Sequence, residues 1–433
     1  MNTLLLFAAV FGTASAHATP WNAINDPSQM NANYNYKFDQ LPLKGRVSES
    51  HMPWSDNYWE SDWGGISFRW NTVSEGQRDP DPSAPDMPNK ANLFKYVPPT
   101  KAQVAQMSKA DLMNLSPAEK YDILMGRFDY PTVQAERKRV SPKDDSWHGL
   151  CHGWVPAAIN HSEPQPTELT GATGIVVPFG SADLKGLLDY YYGVTAYDYA
   201  RGYRSTVRTG DTLSLIDMVD SFDVVKLIKA ATLRVTNNDE PVDIEALKDA
   251  SACTTAACLE SMAADGYVDS LAVVSQLGAT IEKKGKFSGV KNLQDPNPGA
   301  FYVMMTNQLA LLDRAYVEEV TQKLKKGEIW NQPVVGFETT VNGTKMLAGG
   351  ARKVSVTTKL IYVTESPQTW APIMGTDKQR YDDMTFDYTV DVNSSGYVIG
   401  GDWQDKKYHP GFAWTHAKLQ IRGYFSRLNE MVK

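Results

Sequence analysis

At Val334 the periodicity of this 433-residue chain changes. Before that point apolar residues recur at helical spacing. Leu184, Leu187, Leu188 and Tyr191 fall at i, i+3, i+4 and i+7, behind a Ser181 that reads as the cap. Ser108-x-x-Asp111 and Ser116-Pro117-Ala118-Glu119 are capping boxes, the second with Pro at the first helical position, and Gly126 closes that second helix. Residues 222–283 also read as mainly helical. From Val334 onward the pattern is one of strands. Val354, Val356 and Thr358 alternate with polar or cationic neighbours. Phe386, Tyr388, Val390 and Val392 share one face, with Asp387, Thr389 and Asp391 on the other. Asn393-Ser394-Ser395-Gly396 is a turn, and Tyr397-Val398-Ile399 returns. An antiparallel meander after a helical half defines an α+β class.

Composition supports a packed core, with 42% hydrophobic and 11% aromatic residues. The net charge of −7 and the lack of a basic stripe exclude nucleic acid as a main partner, and Lys323-Leu324-Lys325-Lys326 reads as a solvated loop. Leu4 to Val10 is an apolar run, followed by the small-x-small sites Ala14-Ser15-Ala16 and Ala16-His17-Ala18. Residues 1–18 therefore read as a signal peptide, although no Lys or Arg precedes the run. No other stretch reaches the roughly 18 apolar residues of a membrane span, so an exported, soluble product is expected. The remainder divides into an aromatic-rich region over 19–100, a helical connector or pro-like segment over 101–140, and a catalytic α+β region over 141–433. In the first, Trp54, Trp59, Trp63 and Trp70 either stack on sugars or cover a core. A Pro-rich linker follows at residues 79–85.

Three cysteines are present. Cys253 and Cys258 are five apart, which on a regular helix points them about 140° away from each other, so a bridge between them requires a turn. A Cys253–Cys258 disulfide is expected in an exported protein, leaving Cys151 as the odd thiol. Cys151 lies in Trp147-His148-Gly149-Leu150-Cys151-His152-Gly153-Trp154, ahead of an apolar stretch able to open a helix. Partial positive charge at a helix N-terminus lowers a thiol pKa and supplies thiolate, which makes Cys151 a candidate nucleophile. The alternative is a buried structural thiol. Trp147 and Trp154 on either side are candidate substrate contacts.

Glu328-Ile329-Trp330-Asn331-Gln332-Pro333-Val334-Val335-Gly336-Phe337-Glu338 resembles the Trp-Asn-Gln-Pro-Val-x-Gly-Phe peptide of the secreted oomycete transglutaminases, a family that plants sense as an elicitor of defence and that has related sequences in marine vibrios. The Cys-His-Gly-Trp segment, Ser116 to Tyr121, Asp295-Pro296-Asn297-Pro298-Gly299 and Gly400-Gly401-Asp402-Trp403 resemble further landmarks of that family. The resemblance implies a papain-like core and calcium-dependent cysteine acyl transfer. The Cys151 thiolate would attack a protein glutamine, ammonia would leave, and a lysine amine would resolve the thioester into an isopeptide bond. Its partners would be protein substrates bearing Gln and Lys. Water as acceptor would give deamidation.

The family pattern places a His after Asn-Pro-Gly and an Asp further on. The matching positions here are Tyr302 and Glu319. Glu can orient a base as Asp does, whereas Tyr, with a pKa near 10, is a poor base at neutral pH. His409 either folds back as the base or is a turn residue. His152 would point about 100° from Cys151 on a helix. His148 and His161 read as local residues, and His416 as the start of a final helix bearing Arg422, Tyr424 and Leu428 on one face. Trp330, Asn331 and Gln332 either line the acceptor groove and donate to the oxyanion, or form a turn entering a strand. Asp382, Asp383, Asp387 and Asp391 offer oxygen ligands without the spacing of an EF-hand, so calcium rests on the resemblance alone and no metal ligand is assigned. Three readings stand: a transglutaminase using Cys151, a cysteine amidase, peptidase or deamidase, and a non-catalytic secreted binding protein that lost its base at Tyr302.

Overall fold

A computed structural model describes residues 20–21, 26–70, 96–195, 206–210, 280–281, 287–288, 296–320, 330–405, 408–416, 418–419 and 421–432. The signal segment 1–18, the linker 79–85, Lys323 to Lys326, nearly all of 222–283 and the Cys253–Cys258 pair lie outside the described residues. Capping chemistry starts the helices where the sequence places it. Helix α1 (Lys101–Val104) begins at Thr100, α2 (Lys109–Met113) at Ser108 and α3 (Pro117–Leu124) at Ser116, each with a complete capping box. Gly126 follows α3 at φ +73°, a left-handed value that suits glycine. The remaining helices are α4 (Pro131–Arg139), α5 (Cys151–Asn160), α6 (Ser181–Tyr190) and α7 (Pro298–Thr306). Ser181 is the first residue of α6 and not its cap. Gly180 takes the cap position, and its N–H donates to Asp183 Oδ2 at 2.7 Å.

The strands are β1 (Lys44–Arg46), β2 (Thr167–Thr170), β3 (Val176–Phe179), β4 (Thr206–Gly210), β5 (Thr280–Ile281), β6 (Phe287–Ser288), β7 (Tyr316–Glu319), β8 (Asn331–Met346), β9 (Arg352–Val363), β10 (Tyr381–Val392), β11 (Val398–Trp403) and β12 (Phe412–His416). Among the described residues the main sheet runs β11-β10-β9-β8-β7-β12-β4, with β1 also on β8. Every pairing in it is antiparallel. Val354, Val356 and Thr358 are buried on β9, and Phe386, Tyr388 and Val390 on β10. The sheet begins earlier than Val334 because Asn331 to Phe337 are buried on both faces, which erases the alternation that marks a half-exposed strand. His416 ends β12, opposite Thr206, instead of opening a helix. The last turns, Gly423–Glu430, form a 3-10 segment.

One hydrophobic cluster gathers residues from Tyr34 to Val432, so the regions 19–100, 101–140 and 141–433 share a core. Trp54 and Trp59 lie inside it and Trp63 is buried as well, which is the core-covering role. On one side of the sheet Phe301 of α7 sits among Phe386, Tyr388 and Trp403. Helices α5 and α6 touch backbone to backbone at Gly153, where a Cβ would lie 2.0 Å from Asp189 O. That contact fixes the depth at which the first turn of α5 meets the sheet.

Candidate active site

Cys151 is the first residue of α5, with Leu150 at the cap position. A segment of the aromatic-rich region runs beside it. Leu150 N–H donates to Tyr58 O at 2.5 Å, and Ser61 N–H donates to His148 O at 2.8 Å. A Cβ on Gly149 would lie 2.2 Å from Tyr58 O, so only glycine allows this approach. The Tyr58 ring lies 5.5 Å from that of Trp330. Trp330 in turn leads into β8, and Asn331 Nδ2 donates to Cys151 Sγ at 3.7 Å. Trp414 Nε1 on β12 donates to Asn331 Oδ1 at 3.1 Å. An indole N–H can only donate, so it orients the amide with its oxygen toward β12 and its NH2 toward sulfur. The Trp-Asn-Gln run thus reaches the nucleophile and also enters a strand. Asn331 and Gln332 lie in β8 itself and not in a turn before it.

Cys151 is 8% exposed. Burial pushes its thiol above the ordinary cysteine value; the Asn331 backbone and side-chain donors and the His152 N–H oppose the rise, and the charge of Glu365 adds to it. Desolvation at Cys151 thus opposes the lowering expected of a helix N-terminus. Glu365 lies in the loop after β9. Gln332 Nε2 donates to its Oε1 at 2.5 Å, and Thr364 Oγ1 to its Oε2 at 2.7 Å. Tyr58, Trp330 and Glu365 are half-exposed at this end of the site.

Glu319 faces Asn331 across the β7–β8 ladder, and strand alternation puts both side chains on one face. Gly411 N–H donates to Glu319 O at 3.4 Å, and a Cβ on Gly411 would lie 2.1 Å from Glu319 Oε2. His409, two residues earlier, is buried, stacks on Trp403 at 5.3 Å and places Nδ1 2.8 Å from Pro410 O. A carbonyl only accepts, so Nδ1 donates in that contact.

The other expected residues take different places. Tyr302 is fully buried on α7, stacked on Phe38 at 5.5 Å, with a hydroxyl that makes no hydrogen bond among the described residues. Burial raises its phenol, so it stays protonated and cannot act as a base at neutral pH. Trp154 is fully buried with its indole on Trp54 O at 3.1 Å, which leaves no surface for a substrate. Trp147 is half-buried against His148. His152 Nε2 lies 3.1 Å from Gly193 O. His161 bonds Tyr192 OH at 3.0 Å and is lowered to about 4 by burial. Asp383 pairs with Lys359 and Asp391 with Lys353, at 2.9 and 3.0 Å. Among the described residues no group of three or more His, Cys, Asp or Glu is arranged to hold a metal, so these aspartates do not fit a calcium cage.

Sequence reasoning did not single out Tyr58, Trp414 or Glu365. The first two sit inside segments it noted for other reasons. Nothing local marks Glu365, a carboxylate in a loop.

A cysteine opening a helix, an oriented amide donor on its sulfur and an antiparallel sheet behind it define a site suited to acyl transfer through a thioester. No family model matches this chain, and no curated protein matches it. Its fold is similar to the crystal structure of the GP42 transglutaminase from Phytophthora sojae, over 96% of this chain and 98% of that one, with a TM-score of 0.54 and 17% identity. Among the described residues no helix is long and apolar enough to cross a membrane.

Proposed function

We propose that this chain is an exported protein-glutamine γ-glutamyltransferase whose nucleophile is Cys151. The observation that carries the reading is Asn331 Nδ2, 3.7 Å from the sulfur at the start of α5, in a fold similar to a transglutaminase structure. The sulfur attacks the γ-carboxamide carbon of a glutamine side chain, and the resulting oxyanion takes a hydrogen bond from Asn331. Ammonia leaves, and a lysine amine displaces sulfur from the thioester. We assign uptake of the thiol proton to His409, and Glu319, beside Gly411, positions the segment that carries it. Deprotonation accompanies attack, because burial favours the neutral thiol.

The test is incorporation of a labelled primary amine into a glutamine-rich protein. Incorporation that disappears in Cys151→Ala is the expected result. Ammonia release without incorporation would identify a hydrolase. Neither activity would leave a binding protein and overturn the reading.

A further inference from the structure

The rim of the site joins two chemistries. Tyr58 and Trp330 supply a pair of half-exposed rings 5.5 Å apart. Glu365 supplies a half-exposed carboxylate, held in one orientation by Gln332 and Thr364 at 2.5 and 2.7 Å. Gln332 is the chain neighbour of Asn331, whose amide touches the sulfur, so the carboxylate is tied to the same strand end as the nucleophile. The loop that follows Glu365 is tied to the Tyr58 segment as well, because Ser366 N–H donates to Asp56 O at 3.0 Å. Rings and carboxylate are thus fixed to one another around the approach to Cys151.

A fixed anion beside a thiol is unfavourable for thiolate formation, and Glu365 does raise the Cys151 thiol. A carboxylate there works against the first half of the reaction. It suits the second half, in which a cation approaches an acyl group that bears no charge. We propose that Glu365 docks the ammonium group of the acceptor and that Tyr58 and Trp330 hold its aliphatic stem, so that the site selects unbranched primary alkylammonium side chains over neutral nucleophiles. This rests on the acyl-transfer reading above. In the step, Glu365 takes one proton from the ammonium and the freed lone pair forms the C–N bond at the thioester carbon. The C–S bond breaks, its electron pair returns to sulfur, and the second nitrogen proton passes to that sulfur. Glu365 then releases its proton to water.

The test compares three acceptors on the full chain after one acyl donor: a cationic diamine probe such as dansylcadaverine, neutral hydroxylamine, and water. Glu365→Gln is expected to lower capture of the acyl group by the diamine roughly tenfold relative to capture by hydroxylamine or water, a ratio that cancels any change in the shared acylation step. Glu365→Asp should keep most of the selectivity. In the unmodified protein, added salt should raise KM for the diamine and leave hydroxylamine unchanged, a readout that needs no variant to fold. An equal loss with all three acceptors, or no loss with the diamine, overturns the proposal while leaving acyl transfer standing. A wild-type chain that neither aminolyses nor hydrolyses the donor overturns both.

Discussion

Asn331 owes its orientation to Trp414, a donor that cannot accept. Asn331→Ala removes the hydrogen bond to the reacting centre, and kcat should fall roughly 10²-fold; the unfolding midpoint should also drop, because the buried Trp414 indole N–H loses its acceptor. Trp414→Phe leaves the amide in place but lets it turn over, so a smaller loss is expected, about tenfold. Equal kcat in both variants and wild type would remove Asn331 from the chemistry. Cys151 carries a second prediction at this scale. Burial raises its thiol, so iodoacetamide alkylation of the resting protein should titrate above the ordinary cysteine value near 8.5. A rate that levels off below neutral pH would show a preformed thiolate.

At the level of elements, two glycines set how closely parts of the site approach. Gly153→Ala would put a Cβ 2.0 Å from Asp189 O and 2.8 Å from Gly193 N, both backbone atoms, so α5 must move away from α6. Overpacking of this kind costs about 1–3 kcal/mol, which urea unfolding should register. Gly411→Ala meets the end of a side chain instead, at Glu319 Oε2. The carboxylate can swing, so kcat should drop while stability is largely kept. A variant with full activity would free Glu319 from any part in proton transfer.

Across the whole molecule, the segment beside Cys151 is anchored by a buried charge network. Lys185 Nζ pairs with Glu163 at 2.7 Å and donates to Ser55 O at 2.8 Å, and Trp59 Nε1 donates to Asp56 Oδ2 at 3.0 Å. Glu163 accepts from the Ile373 and Met374 N–H groups, both at 2.8 Å. Burial pushes Asp56 up to about 6, against the pull of Lys185, and raises Asp189 beside it well above its ordinary value. A carboxyl with a raised folded pKa contributes stability that is full below its unfolded value and is lost as pH rises through the folded value. The Asp56 share of the urea midpoint should therefore fall between about pH 4 and about pH 6, and that fall should be missing in Asp56→Asn. Equal declines in the two proteins would show that Asp56 is not responsible.

Local rules alone determined much of this protein. Ser108 and Ser116 start helices wherever their chain is placed, because a capping box is satisfied within four residues. The alternation through Val354 and Phe386 allows only a half-buried strand. The sequence also marks Cys151 as a nucleophile candidate and Asn331 as either a groove or oxyanion residue or part of a turn, each from its own local motif. What joins them is not local: Asn331 reaches Cys151 across 180 positions, and Trp414 reaches Asn331 across 83. Only the packing of α5 on the sheet brings those atoms together. Only that packing removes water from the sulfur, which raises a thiol that the sequence alone marks for lowering. Long-range contact and desolvation depend on what surrounds a residue in space, and no window of sequence contains that surrounding.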